Sequence, residues 1–143
     1  MIKRFKVKEA VVPKAVAEIL AMINSTNAIV LLEGNLASGK TTFVKEFVKY
    51  CGIDEDVSSP TYTIQNIYGA KIYHYDIYQK NVNEFLKLGL LDMLGESGYH
   101  LIEWGNEELA KLLKMYGFKF WHLKISNENS EYRIYAVSDK WQN

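Results

Sequence analysis

AIVLLEGNLASGKTTFVKEFVKY, residues 28–50, is the stretch that decides the fold. It opens with an unbroken apolar run, Ala28 to Leu32, that is short and flanked by polar residues and glycine. A strand covered on both faces has this pattern, because neither face can carry a polar side chain, so the spacing predicts a central parallel strand. It closes with Thr42 to Tyr50, where Phe43, Phe47 and Val48 recur at helical spacing and Gly52 supplies a stop. Between them, GNLASGKT (34–41) satisfies G-x-x-x-x-G-K-[ST]. Average composition produces such a string by accident in about one chain of this length in two hundred, and placement between strand and helix lowers that further.

The spacing has a physical reason. Gly34 and Gly39 let the backbone curl so that the N–H groups of Asn35, Leu36, Ala37, Ser38 and Gly39 face phosphate oxygens at the positive end of the following helix. Lys40 is then a point charge for β- and γ-phosphates, the Thr41 hydroxyl is placed to ligate Mg²⁺, and Thr42 reaches toward an α-phosphate. An ordinary turn would use the same glycines with Lys40 merely solvated. With the loop empty, Lys40 is expected to face solvent.

Working outward, 143 residues and 16.5 kDa suit one domain spanning 1–143. Apolar content of 48% and charged content of 24% exclude a disordered or collagen-like chain. Seventeen basic residues balance seventeen acidic ones, so no global field would hold a nucleic-acid duplex unaided. The single cysteine, Cys51, has no internal disulfide partner and suits a reducing, cytoplasmic setting. No stretch approaches the ~18 apolar residues of a membrane span, and the N-terminus has no apolar core of signal-peptide length. Lys3, Arg4, Lys6 and Lys8 alternate with Ile2, Phe5 and Val7, as on the solvated face of an edge strand.

The remaining elements follow from periodicity. A strand is expected over 2–7 and a helix over about 13–24, opened by Pro13. Segments 61–68 and 71–76 are expected to form a hairpin across a two-residue Gly69-Ala70 turn. A helix over 82–94, a second apolar strand over 99–103, a helix over 107–116 and a hairpin formed by 118–125 and 131–137 complete the chain. The fold class is therefore α/β: one phosphate-loop domain with a central mixed sheet, parallel core strands, antiparallel hairpins and flanking helices.

A nucleotide-hydrolysing site also needs carboxylates for the metal shell and for orienting water. Asp76 ends IYHYD (72–76) and Glu103 ends HLIE (100–103), each where a strand would deliver it to the loop's edge of the sheet. Either suits Mg²⁺, and the other then suits the attacking water. Trp104 follows directly, and its indole face suits a base or a core position equally. His74, between Tyr73 and Tyr75, is expected to be packed or hydrogen-bonded on the sheet, and zinc is not expected.

Together, GNLASGKTTF (34–43), SPTYT (59–63), HYDIY (74–78), LGL (88–90) and IEW (102–104) resemble the TsaE (formerly YjeE) family. These are small bacterial P-loop ATPases that act in making threonylcarbamoyl-adenosine in tRNA. The resemblance implies ATP and Mg²⁺ bound through Lys40 and Thr41, and a switch-like loop at Ser59-Pro60-Thr61 with Thr61 aimed at the nucleotide. It implies Asp76 as a Walker-B-like carboxylate, with Glu103 and Trp104 also at the nucleotide site. It further implies TsaD-like and TsaB-like partner proteins, with tRNA met through that complex. Asn35, Ala37 and Ser38 depart from the family's usual GDLGAGKT, Gln79 replaces an arginine after HYDIY, and Gly105 stands where proline often follows IEW.

Two other functions share the loop: a small-molecule kinase and a nucleotide-sensing module without turnover. Kinases of this kind usually clamp substrates with lid arginines, whereas this chain has no arginine between 5 and 132. A GTPase would need an N-K-x-D string, which is absent. With Arg4 and Arg133 both far in sequence from the loop, slow intrinsic turnover raised by a partner is the expectation.

Overall fold

A computed structural model describes residues 2–35, 37–58, 60, 65–78 and 81–143. The strands are β1 (Ile2–Lys8), β2 (Ala28–Glu33), β3 (Gln65–Tyr68), β4 (Ile72–Asp76), β5 (Tyr99–Glu103), β6 (Trp121–Asn127) and β7 (Tyr132–Ser138). The helices are α1 (Val12–Ile23), α2 (Lys40–Tyr50), α3 (Val82–Lys87), α4 (Leu90–Leu94) and α5 (Glu107–Met115). All described strands join one mixed sheet in the order β1-β7-β6-β2-β5-β4-β3. β6, β2, β5 and β4 run parallel, and antiparallel pairings add β7 to β6, β1 to β7 and β3 to β4.

β2 shows why its sequence had to be apolar throughout. Val30 and Leu32 pack into one core with α1 and α2, through Val16, Ile19, Phe43 and Phe47. Ile29 and Leu31 pack into the other with Phe85, Leu90, Leu109 and Leu113 of α3, α4 and α5. Alternate side chains of one strand thus feed two helical layers, and a polar residue at any of these four positions would be buried unpaired. The basic face of β1 pairs with β7 alone, and Lys6 meets Glu128 at 3.2 Å. Among the described residues, no helix is long and apolar enough to cross a membrane.

Two local expectations are corrected. The helix expected over 82–94 is two short helices, broken at Gly89, whose φ of +81° places it in the left-handed region. The β3–β4 turn has three residues, 69–71, because Tyr68 pairs with Ile72. The start of the expected strand at Thr61 lies outside the described residues.

The C-terminal tail clamps β6 through His122. This buried imidazole stacks on Trp141 with ring centroids 3.7 Å apart. Nε2 donates to Glu33 Oε1 at 2.9 Å and Nδ1 accepts the Gln142 amide at 2.9 Å, so the neutral ring satisfies both contacts. Burial, reinforced by Lys124, holds its pKa down to about 4. In the unfolded chain the ring protonates near pH 6.5, so the fold binds fewer protons below that point. Stability should be full above about pH 6.5 and fall as pH drops toward about 4, by up to about 3 kcal/mol at 1.36 kcal/mol per unit. Urea melts at pH 7.5 and 4.5 check this: His122→Gln should flatten the difference, and an equal difference in parent and variant would refute the assignment.

Candidate nucleotide site

The parallel strands β2, β4 and β5 end at one edge, in register: Leu32 pairs with Glu103, and Asp76 pairs with Glu103. The phosphate-loop segment leaves β2 there and turns into α2 through Gly39, at φ +102°. A Cβ on Gly34 would lie 2.7 Å from the Ile125 carbonyl and collide with Ser38, so the loop's first position accepts only glycine. Ala37, at φ +62°, occupies a left-handed conformation costly for a residue with a Cβ. Here the departure from the family's usual glycine has a physical consequence. Ala37→Gly should relieve roughly 1 kcal/mol, less what glycine adds to unfolded-chain entropy, and raise Tm by about 2–4 °C. A calorimetric melt that shows no gain would contradict it.

Lys40 differs from expectation: it is 5% exposed rather than solvent-facing. Its Nζ donates to the carbonyls of Gly34 at 2.6 Å and Asn35 at 3.0 Å, and lies 3.8 Å from the Trp104 ring centroid. The loop curls onto its own cation. Burial pushes the Lys40 ammonium below the usual lysine range, while Glu103 and Asp76 push it back. Trp104 is partly buried, stacks against Tyr78 at 4.6 Å and takes φ +65°, a strained value for a bulky residue of the kind that clusters at functional sites. Gly105 then passes so close to Leu31 that a Cβ would lie 2.7 Å from Leu31 Cβ, and its N–H donates to the Leu32 carbonyl at 3.1 Å. Proline could not make that bond.

Glu103 is 2% exposed, and its two oxygens accept the Thr41 hydroxyl at 3.0 and 3.1 Å. His74 Nε2 reaches the same carboxylate at 2.5 Å. Asp76, one strand over, is half-buried and accepts the Tyr78 amide at 2.9 Å.

A cleft of about 510 Å³ brings Ala37, Ser38, Gly39, Lys40, Thr41 and Thr42 together with Asp76, Glu103 and Trp104. That volume is within the usual span of small-ligand sites. Asn35 opens instead onto an adjoining cleft beyond Trp104 and Ser38. Leu36, Ser59, Thr61 and Gln79 lie outside the described residues. One neighbour of the site was not legible in the sequence. Arg133, distant in sequence, lines the cleft and donates from Nε to the Ser38 carbonyl at 3.2 Å. His74, expected to be packed or hydrogen-bonded on the sheet, is both, and its partner is the site carboxylate.

Residues 7–135 match the family model described as "Threonylcarbamoyl adenosine biosynthesis protein TsaE". The "tRNA threonylcarbamoyladenosine biosynthesis protein TsaE" of Rickettsia conorii is 42% identical over 96 residues, covering 64% of this chain and 54% of its own length. The protein of that name from Rickettsia typhi is 37% identical over 121 residues, covering 81% of this chain and 82% of its own. The chain thus spans from about half to four-fifths of these curated relatives. The crystal structure of YdiB from Bacillus subtilis superposes with a TM-score of 0.67 at 26% identity, over 96% of this chain and 86% of that one.

Proposed function

Because this chain belongs to the TsaE family, we propose that it is an Mg²⁺-dependent ATPase, slow alone, whose nucleotide cycle supports threonylcarbamoyl-adenosine formation in tRNA. TsaD-like and TsaB-like proteins are the proposed partners, in the cytoplasm, with tRNA met through their complex. One observation carries the reading: the Thr41 hydroxyl, at the end of a phosphate loop, rests on the buried carboxylate Glu103 inside a nucleotide-sized cleft.

The donor set fits the metal. Thr41 and the two carboxylates are hard oxygen donors, and Mg²⁺ in nucleotide sites takes one or two carboxylates while phosphates and water complete its shell. When bound, Mg²⁺ supplies charge neutralisation across the β- and γ-phosphates. Glu103, in contact with Thr41, is the carboxylate proposed for the metal's shell. Asp76 is proposed to orient the attacking water from the neighbouring strand. On this proposal Glu103 takes the Walker-B-like part that the resemblance implies for Asp76.

Lys40 must exchange the Gly34 and Asn35 carbonyls for phosphate oxygens, which releases it from the loop and alters what lies over Trp104. That exchange makes Trp104 a reporter of nucleotide state. Arg133 and Lys8 line the wall contributed by β7 and β1. An arginine already stands at the loop, its Nε donating to the Ser38 carbonyl at 3.2 Å, and with that side chain so engaged slow turnover without partners is proposed. Phosphate release should be slow with ATP alone, unaffected by small-molecule acceptors, and raised by added TsaD-like and TsaB-like proteins. Stimulation by an acceptor instead of by the proteins would favour a kinase and refute the proposal.

A further inference from the structure

Glu103 is gripped from two sides, and only one side belongs to the phosphate loop. Behind it stands His74, fully buried, whose ring lies 5.9 Å from that of Tyr68. His74 Nδ1 is 3.3 Å from the Tyr68 hydroxyl, and that hydroxyl is 3.1 Å from the Ser58 carbonyl. The Asn66 side-chain amide sits beside both, 3.2 Å from the Ser58 carbonyl and 3.4 Å from the Tyr68 oxygen.

Counting protons orders these contacts. Asn66 has two amide hydrogens, which serve the Ser58 carbonyl and the Tyr68 oxygen. Tyr68 has one proton, which the Ser58 carbonyl accepts at 3.1 Å, while the Tyr68 oxygen stands 3.3 Å from His74 Nδ1. His74 then carries its own proton on Nε2 and donates it to Glu103. The series thus runs from the Ser58 carbonyl through Tyr68 and His74 to the carboxylate, as in the outer shells that orient metal-site ligands.

We propose that Tyr68 and His74 are positioning residues that aim Glu103 at Thr41 and the metal position, tying the segment ending at Ser58 to the phosphate loop. This rests on the nucleotide reading given above. A histidine kept only for packing would need a partner for its polar atoms. This one joins a carboxylate whose oxygens face Thr41 almost symmetrically, at 3.0 and 3.1 Å, to a backbone carbonyl two residues before Pro60. Loss of the outer donors should let the carboxylate rotate, weakening the metal contribution while leaving the phosphate cradle intact.

The test titrates a fluorescent ATP analogue into the full chain across a series of Mg²⁺ concentrations, including none, for the parent, Tyr68→Phe, His74→Leu and His74→Gln. Tyr68→Phe and His74→Leu should raise the Mg²⁺ needed for half-maximal tightening by about 10-fold, within the 10–100-fold usual for outer-shell partners. Their Mg²⁺-free affinity should match the parent's. His74→Gln retains an N–H for Glu103 and should return toward the parent. Parent-like Mg²⁺ dependence in the folded variants overturns the proposal, as do equal losses with and without Mg²⁺, which would mark packing alone. If His74→Leu does not fold, Tyr68→Phe, which loses one hydroxyl, decides the matter. A parent chain that binds no nucleotide at any Mg²⁺ level refutes the nucleotide reading and takes this proposal with it, an outcome distinct from a parent that binds while the variants are unchanged.

Discussion

Lys40→Ala is expected to weaken ATP binding by roughly 10- to 150-fold, the range of ~1.5–3 kcal/mol for a hydrogen bond involving a charged group. The ammonium is the cation at the head of α2, held 2.6 Å from the Gly34 carbonyl and 3.0 Å from that of Asn35. In the parent it passes from carbonyls to phosphates on binding; alanine leaves nothing to make that exchange. The empty variant should also change Trp104 fluorescence, because the indole loses the cation 3.8 Å from its ring. Calorimetric titration together with emission spectra checks both effects. Unchanged affinity in a folded variant would refute the phosphate-loop assignment.

The carboxylates provide the second large effect. Glu103→Gln replaces an acceptor with a group that must present an N–H to Thr41 or His74, and it removes the charge proposed for the metal's shell. Phosphate release should fall by about 10²- to 10³-fold, the scale for losing one preorganised charge-stabilising group, and Mg²⁺ should no longer tighten ATP binding. Asp76→Asn should keep Mg²⁺-dependent binding and lose turnover. Rates measured beside Mg²⁺ titrations separate the two roles. An exchange of these phenotypes would return the metal to Asp76, and parent-like rates in both variants would exclude the two-carboxylate scheme.

Local pattern made the centre of the molecule legible. Ala28 to Leu32 read as a strand covered on both sides, GNLASGKT carried its own spacing, and Pro13 and Gly52 marked helix boundaries in the residues themselves. Asp76 and Glu103 were legible for the same reason, since the end of a parallel strand is a position that can be counted along the chain. Relations between distant segments were not. His74 meets Glu103 because β4 and β5 pair in one register, placing Asp76 opposite Glu103, and the sequence of either strand does not specify that offset. Arg133 reaches Ser38 across 95 positions, after β7 has folded back on β6. The burial of Lys40 depends on an indole contributed by another strand end. The break at Gly89 was visible as a letter, yet the apolar spacing on both sides fitted one helix as well as two.

Calorimetric titration of ATP into the parent chain, with and without Mg²⁺, tests the nucleotide site most directly. Saturable binding at one site per chain, tightened by Mg²⁺, is the expected result. No binding in either titration, by a chain whose melt shows it folded, would contradict it.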